Sequence, residues 1–145
     1  MRGYFEIGIF HTKTESNIGT LWRSAYQMGA SGIYTIGRRY QTQSSDTSKA
    51  WKRIPLRHHE QFDEFYKQLP REAALIGVEM GGVELSNFQH PEQAVYLLGA
   101  EDYGLPEKIM QKCHQIISIE SVRLNCFNVA VAGSIVMYDR YQKGL

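Results

Sequence analysis

Cysteine and long apolar runs are both scarce in this chain. Its 145 residues include only two cysteines, Cys113 and Cys126, which lack the CxxC spacing of redox and zinc sites. This scarcity favours a reducing cytoplasm and predicts no disulfide. The sequence contains no run of about 18 apolar residues, the length needed to span a membrane. Arg2, Glu6 and His11 interrupt any apolar core of a signal peptide. We therefore predict a cytoplasmic protein without membrane contact.

Several motifs that bind nucleotides or carry nucleophiles are missing as well. The sequence contains no GxxxxGK[ST], no GxGxxG and no GxSxG, which disfavours P-loop hydrolases, dinucleotide enzymes and serine hydrolases. The histidines never fall at a metal-ligand spacing, so no metal site is predicted. They are His11, His58, His59, His90 and His114. The kind of site that is still possible is a group-transfer or binding site. It would be made of glycine turns, a carboxylate and a few arginines and asparagines.

Positive charge is local in this sequence and not global. The net charge of +1 excludes a uniformly basic nucleic-acid binder, but six basic residues and one acid lie between Arg38 and Arg57, interleaved with Tyr40 and Trp51. Basic side chains neutralise phosphates and aromatic rings stack on unpaired bases. We predict an RNA-contacting loop, with a solvated surface loop as the alternative. Its candidate RNA-binding residues are Arg38, Arg39, Lys52 and Arg53.

Strand-like and helix-like segments alternate along the chain. The predicted strands cover residues 4–10, 32–36, 73–78, 94–98 and 116–119. The predicted helices run from Ser16 or Asn17 to Gly29, over residues 61–68, from Pro106, and from the 125–133 segment to the end. Residues 37–59 and 79–93 are predicted as irregular connections. This alternation predicts one three-layer α/β/α domain over residues 1–145, with a mostly parallel sheet.

Two segments contain polar residues that are candidates for a site. Asn17 lies at a predicted helix start with Arg23 about two turns later, and the alternative is an arginine on the polar side of the helix. Glu101 lies between Gly99 and Gly104 directly after a strand, and the alternative is an exposed turn acid. Ligands of α/β proteins bind at such strand ends. The loops after residues 98 and 119 are therefore predicted to face one pocket.

Three segments together resemble the motifs of the SpoU/TrmH family of SPOUT-class RNA 2′-O-ribose methyltransferases. They are Asn17-x-Gly19-x-x-x-Arg23-x-Ala25, the run from Leu98 to Leu105, and the run from Asn128 to Ala132. The resemblance implies an α/β fold with a C-terminal trefoil knot and a homodimer. It also implies S-adenosylmethionine bound in the knot, and methylation of a ribose 2′-hydroxyl of tRNA or rRNA without a metal.

The resemblance also assigns roles to particular residues. Arg23 matches an arginine at the target hydroxyl, and its very high pKa favours orientation of the hydroxyl and phosphate over action as a base. Asn17 and Glu101 match positioning residues, and Tyr138 matches a tyrosine implicated in catalysis or tRNA recognition, acting across the dimer. The implied cofactor-binding residues are Val78, Gly99, Ala100, Glu101, Gly104, Ile119, Cys126, Phe127 and Asn128.

Some features of the resemblance leave alternatives open. Cys126 stands where a serine is usual, and either Ile117 or Ile119 aligns with the isoleucine on the adenine side. The chain resembles the smallest tRNA wobble-position enzymes, which favours tRNA over rRNA. Two rival functions are a knotted RNA-binding module that has lost catalysis and a SPOUT enzyme that methylates a base.

Overall fold

The computed structural model describes residues 3–37, 53–99, 103–123 and 127–145. Within these ranges a six-stranded sheet has the order β3-β2-β1-β5-β4-β6, and every strand pair is parallel. The strands are β1 Tyr4–Phe10, β2 Gly32–Ile36, β3 Leu56–His59, β4 Ala74–Glu84, β5 Gln93–Leu98 and β6 Gln115–Ser118. The predicted parallel α/β architecture is therefore confirmed.

Helices cover both faces of this sheet. They are α1 Glu15–Met28, α2 Phe62–Lys67, α3 Glu107–Lys112 and α4 Val129–Gln142. One buried cluster joins α1 and α4 to the side chains of Ile7, Ile9 and Leu98, and another joins α2 and α3 to the opposite face. Parallel strands covered on both faces are continuously apolar, as β2 shows with all five residues buried. Among the described residues no helix combines the length and apolar character of a membrane span.

Most element boundaries agree with the sequence predictions, and α1 is a small exception. Gly29 ends α1 in a left-handed conformation, as predicted, with φ of 88°. The helix begins at Glu15 after Thr14, so the prediction that Ser16 or Asn17 caps it is wrong by a few residues. The first residue of α1 is hard to locate from sequence, because Thr14, Ser16 and Asn17 all have cap-forming side chains.

Two strand predictions need larger corrections. Leu56–His59 forms β3, paired with β2 at the sheet edge, although residues 37–59 were predicted as a loop. Its Leu-Arg-His-His sequence lacks an apolar pattern because an edge strand is only partly covered. β4 continues to Glu84 through an irregularity between Val78 and Val83, so its second half was wrongly predicted as irregular. A 3₁₀ turn, Leu85–Asn87, follows.

A buried polar network connects α4 to β5 and to the residues just before it. Arg140 is only 1% exposed, and its guanidinium donates to the carbonyls of Pro91 and Glu92 and to the Tyr96 hydroxyl. His90 lies between that hydroxyl, at 2.6 Å, and the Asp139 carboxylate, at 2.7 Å. Because charged donors meet several acceptors here, the position of α4 is strongly determined.

Candidate functional site

A cavity of about 600 Å³ opens at the carboxyl ends of β4, β5 and β6. We call it the strand-end cavity. Its size lies within the range of about 300–1,000 Å³ typical of small-molecule sites. Its lining consists of Val78, Glu79, Met80, Gly81, Glu84, Leu98, Gly99, Tyr103, Gly104, Ser118, Ile119, Glu120, Ser121, Phe127, Val129 and Ala132. The cavity therefore lies where a parallel α/β sheet is expected to bind a ligand.

The strand-end cavity brings together residues that the sequence placed in separate motifs. Val78, Gly99, Gly104, Ile119 and Phe127 all line it. Three other predicted cofactor residues, Ala100, Glu101 and Cys126, lie outside the described residues. The loops that follow β5 and β6 therefore do face one pocket, as predicted.

Gly99 and Gly104 let the loop after β5 fold closely on itself. A Cβ at position 99 would lie 2.5 Å from the carbonyl carbon of Gly104, which no side chain tolerates. Gly104 has φ of 64°, in the left-handed region, and a Cβ there would collide with the Glu79 carboxylate. Glycine is required at both positions because the backbone passes this close to its neighbours.

Glu79 is a site residue that the sequence interpretation missed. Its carboxylate accepts the backbone N–H of Leu105 at 2.8 Å and that of Met80 at 2.9 Å. These bonds tie β4 to the loop after β5 and hold one wall of the strand-end cavity. A carboxylate directly after the apolar run 73–78 was a usable signal, but residues 79–93 were interpreted as an irregular connection.

The strand-end cavity carries three acidic side chains, from Glu79, Glu84 and Glu120. Hydrogen bonding from Ser86 holds the pKa of the exposed Glu120 below its ordinary value. This carboxylate therefore stays ionised through the neutral range. Carboxylates around a cavity produce a negative potential, which favours a ligand with a positive centre.

One hydrogen bond joins the first and third sequence motifs. The Asn128 side-chain oxygen accepts the N–H groups of Ala130 and Val131, at 3.0 and 3.2 Å, and so caps α4. Its amide nitrogen donates to the side-chain oxygen of Asn17 at 3.0 Å. Asn17 is buried on α1, so this contact fixes the N-terminal parts of the two helices against each other.

Three other predicted catalytic and RNA-binding residues are exposed in the described part of the chain. The side chain of Arg23 is exposed on α1, as its alternative interpretation predicted, and that of Arg53 is exposed as well. Tyr138 is 56% exposed and lines a second groove between α1 and α4, and not the strand-end cavity. Arg38, Arg39 and Lys52 lie outside the described residues.

No group of three or more histidines, cysteines or acids within the described ranges is placed to hold a metal ion. Cys113 is a packed thiol whose sulfur donates to the Ile109 carbonyl. Burial raises its pKa to about 11, so the nucleophilic thiolate is scarce at neutral pH.

Known proteins resemble this chain over nearly its whole length. A protein of Archaeoglobus fulgidus named "Uncharacterized tRNA/rRNA methyltransferase" is 25% identical over 94% of the chain, which spans 63% of that relative. A Mycobacterium tuberculosis protein of the same description is 27% identical over 85% of the chain, which spans 40% of it. The chain therefore covers less than two thirds of the length of these relatives.

Solved structures share the fold at lower sequence identity. One, described as "Structural insights into the 2-OH methylation of C/U34 on tRNA", has a TM-score of 0.83 and 24% identity, with 97% of this chain and 96% of that chain covered. An AdoMet-bound rRNA methyltransferase of Sinorhizobium meliloti has a TM-score of 0.85 and 22% identity, with 100% and 58% covered. The model of the SpoU rRNA methylase family matches residues 5–138. On that match over most of its length, the chain belongs to the SpoU rRNA methylase family.

Proposed function

We propose that this protein is an S-adenosylmethionine-dependent RNA 2′-O-ribose methyltransferase that acts on tRNA. One observation carries the proposal. The strand-end cavity gathers Val78, Gly99, Gly104, Ile119 and Phe127 from segments far apart in the sequence. These are residues that the family resemblance assigns to the cofactor.

The lining of the strand-end cavity suits both parts of this cofactor. Leu98, Ile119, Phe127 and Val129 offer apolar surface for the adenosine, and the acidic side chains favour the positive sulfonium. The Sinorhizobium meliloti structure, which is described as AdoMet-bound, supports the assignment. Ala100, Glu101, Cys126 and Asn128 complete the proposed cofactor site.

When bound, S-adenosylmethionine supplies an electrophilic methyl group. Val78, Gly99, Gly104, Ile119 and Phe127 would hold it, and transfer of the methyl to the ribose 2′-hydroxyl would leave S-adenosylhomocysteine and release the hydroxyl proton to solvent. Arg23 orients the hydroxyl and its neighbouring phosphate, because a guanidinium offers a planar set of hydrogen-bond donors and no acceptor. Asn17 and Glu101 position the same nucleotide. Correct alignment of the reacting atoms supplies much of the acceleration.

The substrate class rests on similarity in size and fold. The structure described for 2-OH methylation of C/U34 on tRNA is matched over 96% of its chain, so the two proteins have comparable length. This supports a single domain over residues 1–145 and a tRNA substrate in preference to rRNA. Arg38, Arg39, Lys52 and Arg53 contact its phosphates, and no metal ion is required.

A homodimer completes the proposed enzyme. The groove between α1 and α4 has a volume of about 440 Å³ and is mostly apolar, with Leu85, Val131 and Ile135 in its lining. Tyr138 lines the same groove, so a second copy seated there places Tyr138 at the subunit interface. The C-terminal segment forms the trefoil knot of the family. In this arrangement Tyr138 acts on the substrate held by the partner.

The first experiment is titration calorimetry with S-adenosylmethionine and S-adenosylhomocysteine, followed by transfer of labelled methyl to tRNA and rRNA fractions. Nuclease digestion and mass spectrometry then locate the methyl group. We expect about one ligand per subunit and a ribose-methylated nucleotide from tRNA. If the folded protein binds RNA but transfers no methyl group, it is a knotted RNA-binding module that has lost catalysis, which is the first rival function. Methyl on a base, with transfer unaffected by a 2′-deoxy target, identifies a base methyltransferase.

A further inference from the structure

The loops after β1 and β5 leave the sheet in opposite directions. These two strands are neighbours, with Ile9 paired to Leu98 at their carboxyl ends. The chain continues from β1 into α1 on one face and from β5 into α3 on the other face. Ligands of α/β sheets bind in the crevice where the connections diverge in this way. The strand-end cavity covers the carboxyl ends of β4, β5 and β6, and the loop after β1 reaches its border at Tyr103, where the connections diverge.

Tyr103 and Lys13 are in contact at this border. Tyr103, in the loop after β5, lines the strand-end cavity, yet its side chain is 84% exposed. Lys13, in the loop after β1, holds its ammonium 5.4 Å from the centre of the tyrosine ring. The ring is thus accessible even with the lysine over it. Tyrosine combines an apolar ring with a polar tip and is enriched at binding interfaces, so this exposed ring beside the cavity is a candidate contact for a ligand.

We propose that Tyr103 and Lys13 form a subsite for an unpaired nucleotide of the RNA substrate. The base stacks on the Tyr103 ring, and the Lys13 ammonium binds the adjacent phosphate. Aromatic rings next to basic groups bind single-stranded nucleotides in this way, with little dependence on base identity. Because Tyr103 borders the strand-end cavity, a nucleotide stacked there has its ribose close to the bound methyl donor. This inference rests on the proposed function and names where its substrate enters.

A cofactor lid is the alternative role for Tyr103. In that case the adenine of the cofactor stacks on the ring, and loss of the ring weakens cofactor affinity and not RNA affinity. The position of Lys13 favours RNA, since a lysine ammonium binds a phosphate well and the lining of the strand-end cavity is already acidic. The two roles are separated by measuring both affinities.

The test uses RNA hairpins that carry 2-aminopurine at one unpaired loop position, and it follows binding by fluorescence. Tyr103→Ala should weaken hairpin affinity by about 10-fold, because base–aromatic stacking contributes about 1–3 kcal/mol per base. Tyr103→Phe should retain the wild-type affinity. Lys13→Gln should reduce the slope of log affinity against log salt by about 0.7, the value for one phosphate contact to a single strand. Calorimetry should find S-adenosylmethionine affinity unchanged in Tyr103→Phe and Lys13→Gln, and reduced less than hairpin affinity in Tyr103→Ala.

The chain offers a matched control on the other side of the sheet. Lys112 holds its ammonium 5.4 Å from the centre of the Tyr66 ring, and Tyr66 is 36% exposed. These residues belong to α2 and α3, which cover the face opposite α1. Tyr66→Ala and Lys112→Gln should therefore leave hairpin affinity and its salt dependence unchanged.

Three results would overturn the subsite: no binding of the hairpins by the wild type, unchanged hairpin affinity in Tyr103→Ala, or an equal loss in the Tyr66→Ala control. Weaker cofactor binding in Tyr103→Ala with normal RNA affinity would establish the lid instead. The binding readout needs no turnover. A wild type that binds hairpins through Tyr103 but transfers no methyl would therefore refute the proposed function and keep the subsite.

Discussion

Asn128 uses each polar atom of its side chain for a separate contact. The oxygen caps α4, and the nitrogen donates to Asn17 at 3.0 Å. Asn128→Ala removes both contacts and should lower the free energy of unfolding by about 1 kcal/mol, the usual value of a cap. Asn128→Asp keeps the acceptor next to the positive helix end, so its stability should stay near that of the wild type. Urea unfolding measures both variants.

The comparison of the two Asn128 variants separates the cap from the contact between helices. An aspartate cannot donate to Asn17, so Asn128→Asp should lose methyl transfer while it stays folded, if the contact positions the site. Equal destabilisation by alanine and aspartate would show that the cap contributes little. Full activity of Asn128→Asp would show that the Asn17 contact is dispensable.

Arg23 is assigned to the substrate and not to the cofactor. Its side chain is exposed on α1, where a large RNA can reach it. Arg23→Ala should lower turnover by roughly two orders of magnitude, the loss that misplaced reacting groups can cause. S-adenosylmethionine affinity, measured by calorimetry, should change little. Arg23→Lys keeps the charge without the planar fork and should restore only part of the activity. A collapse of cofactor binding in Arg23→Ala would refute the assignment.

At the residue scale, the sequence predicted some of the residues that line the strand-end cavity and not others. Glycine turns after apolar strands predicted Gly99 and Gly104, because the need for close backbone approach is visible as residue type. Glu79 was missed, and Tyr103 lay inside the motif from Leu98 to Leu105 but was given no role, since a carboxylate and a tyrosine are common on surfaces and only their neighbours give them a role. Glu79 acquires its role from the Leu105 N–H, 26 positions away in the sequence.

The position of α4 depends on a chain of hydrogen bonds whose directions can be worked out. Arg140 has only donors, so the Tyr96 oxygen accepts from it and the Tyr96 hydroxyl proton points to Nδ1 of His90. Nε2 of His90 then carries the proton and donates to Asp139. With His90 neutral, the Tyr96 hydroxyl, both ring nitrogens of His90 and the Asp139 carboxylate are all hydrogen-bonded. The ammonium of Lys143 lies 2.8 Å from the Asp139 carboxylate and forms a salt bridge with it.

This network predicts a pH dependence of stability. Burial lowers the pKa of His90, although Asp139 opposes the shift. A lowered folded-state pKa means that the unfolded chain binds more protons between that value and about 6.5, so stability is complete above about pH 6.5 and falls as the solution becomes more acidic. Urea unfolding at several pH values between about 5 and 8 should show this slope, and it should be smaller in His90→Gln.

A second histidine supplies the internal comparison for this slope. Burial and the neighbouring His58 lower the pKa of His59 as well, and His59 lies on β3, far from α4 in the fold. His59→Gln should therefore remove a further, separate part of the slope, and the two effects should add because the residues share no partner. If His90→Gln keeps the wild-type slope, the neutral network is not what the acid destabilises.

Element types were predictable where burial imposes a period, and less so elsewhere. β1 and β2 were found within their true bounds because their aromatic and β-branched residues are typical of strands. β3 and the second half of β4 were missed, since partly covered strands carry polar residues such as Arg57 and Glu84. In these segments the backbone partners decide the structure, and they are not visible in the local sequence.

On the scale of the whole molecule, the two faces of the sheet differ in what they leave exposed. The α1–α4 face exposes Val131, Tyr138 and Tyr141, at 47%, 56% and 48%. Tyr138 and Tyr141 lie together, with ring centres 6.2 Å apart. Apolar residues grouped on one face typically mark a protein interface. This observation supports the proposed homodimer, with an interface along α4 from Val131 to Tyr141.

A single acidic substitution can test this dimer without disturbing the fold. Val131→Glu puts a charge into the α1–α4 groove, yet glutamate in the first turn of α4 favours the helix through its dipole. The variant should therefore unfold like the wild type and sediment as a monomer, with methyl transfer reduced because Tyr138 no longer reaches the partner's substrate. Val122→Glu is the matched control, since Val122 is 98% exposed in a loop and should leave the dimer intact. A Val131→Glu protein that stays dimeric in sedimentation equilibrium would move the interface away from this face, and a monomeric variant with full activity would remove Tyr138 from the reaction.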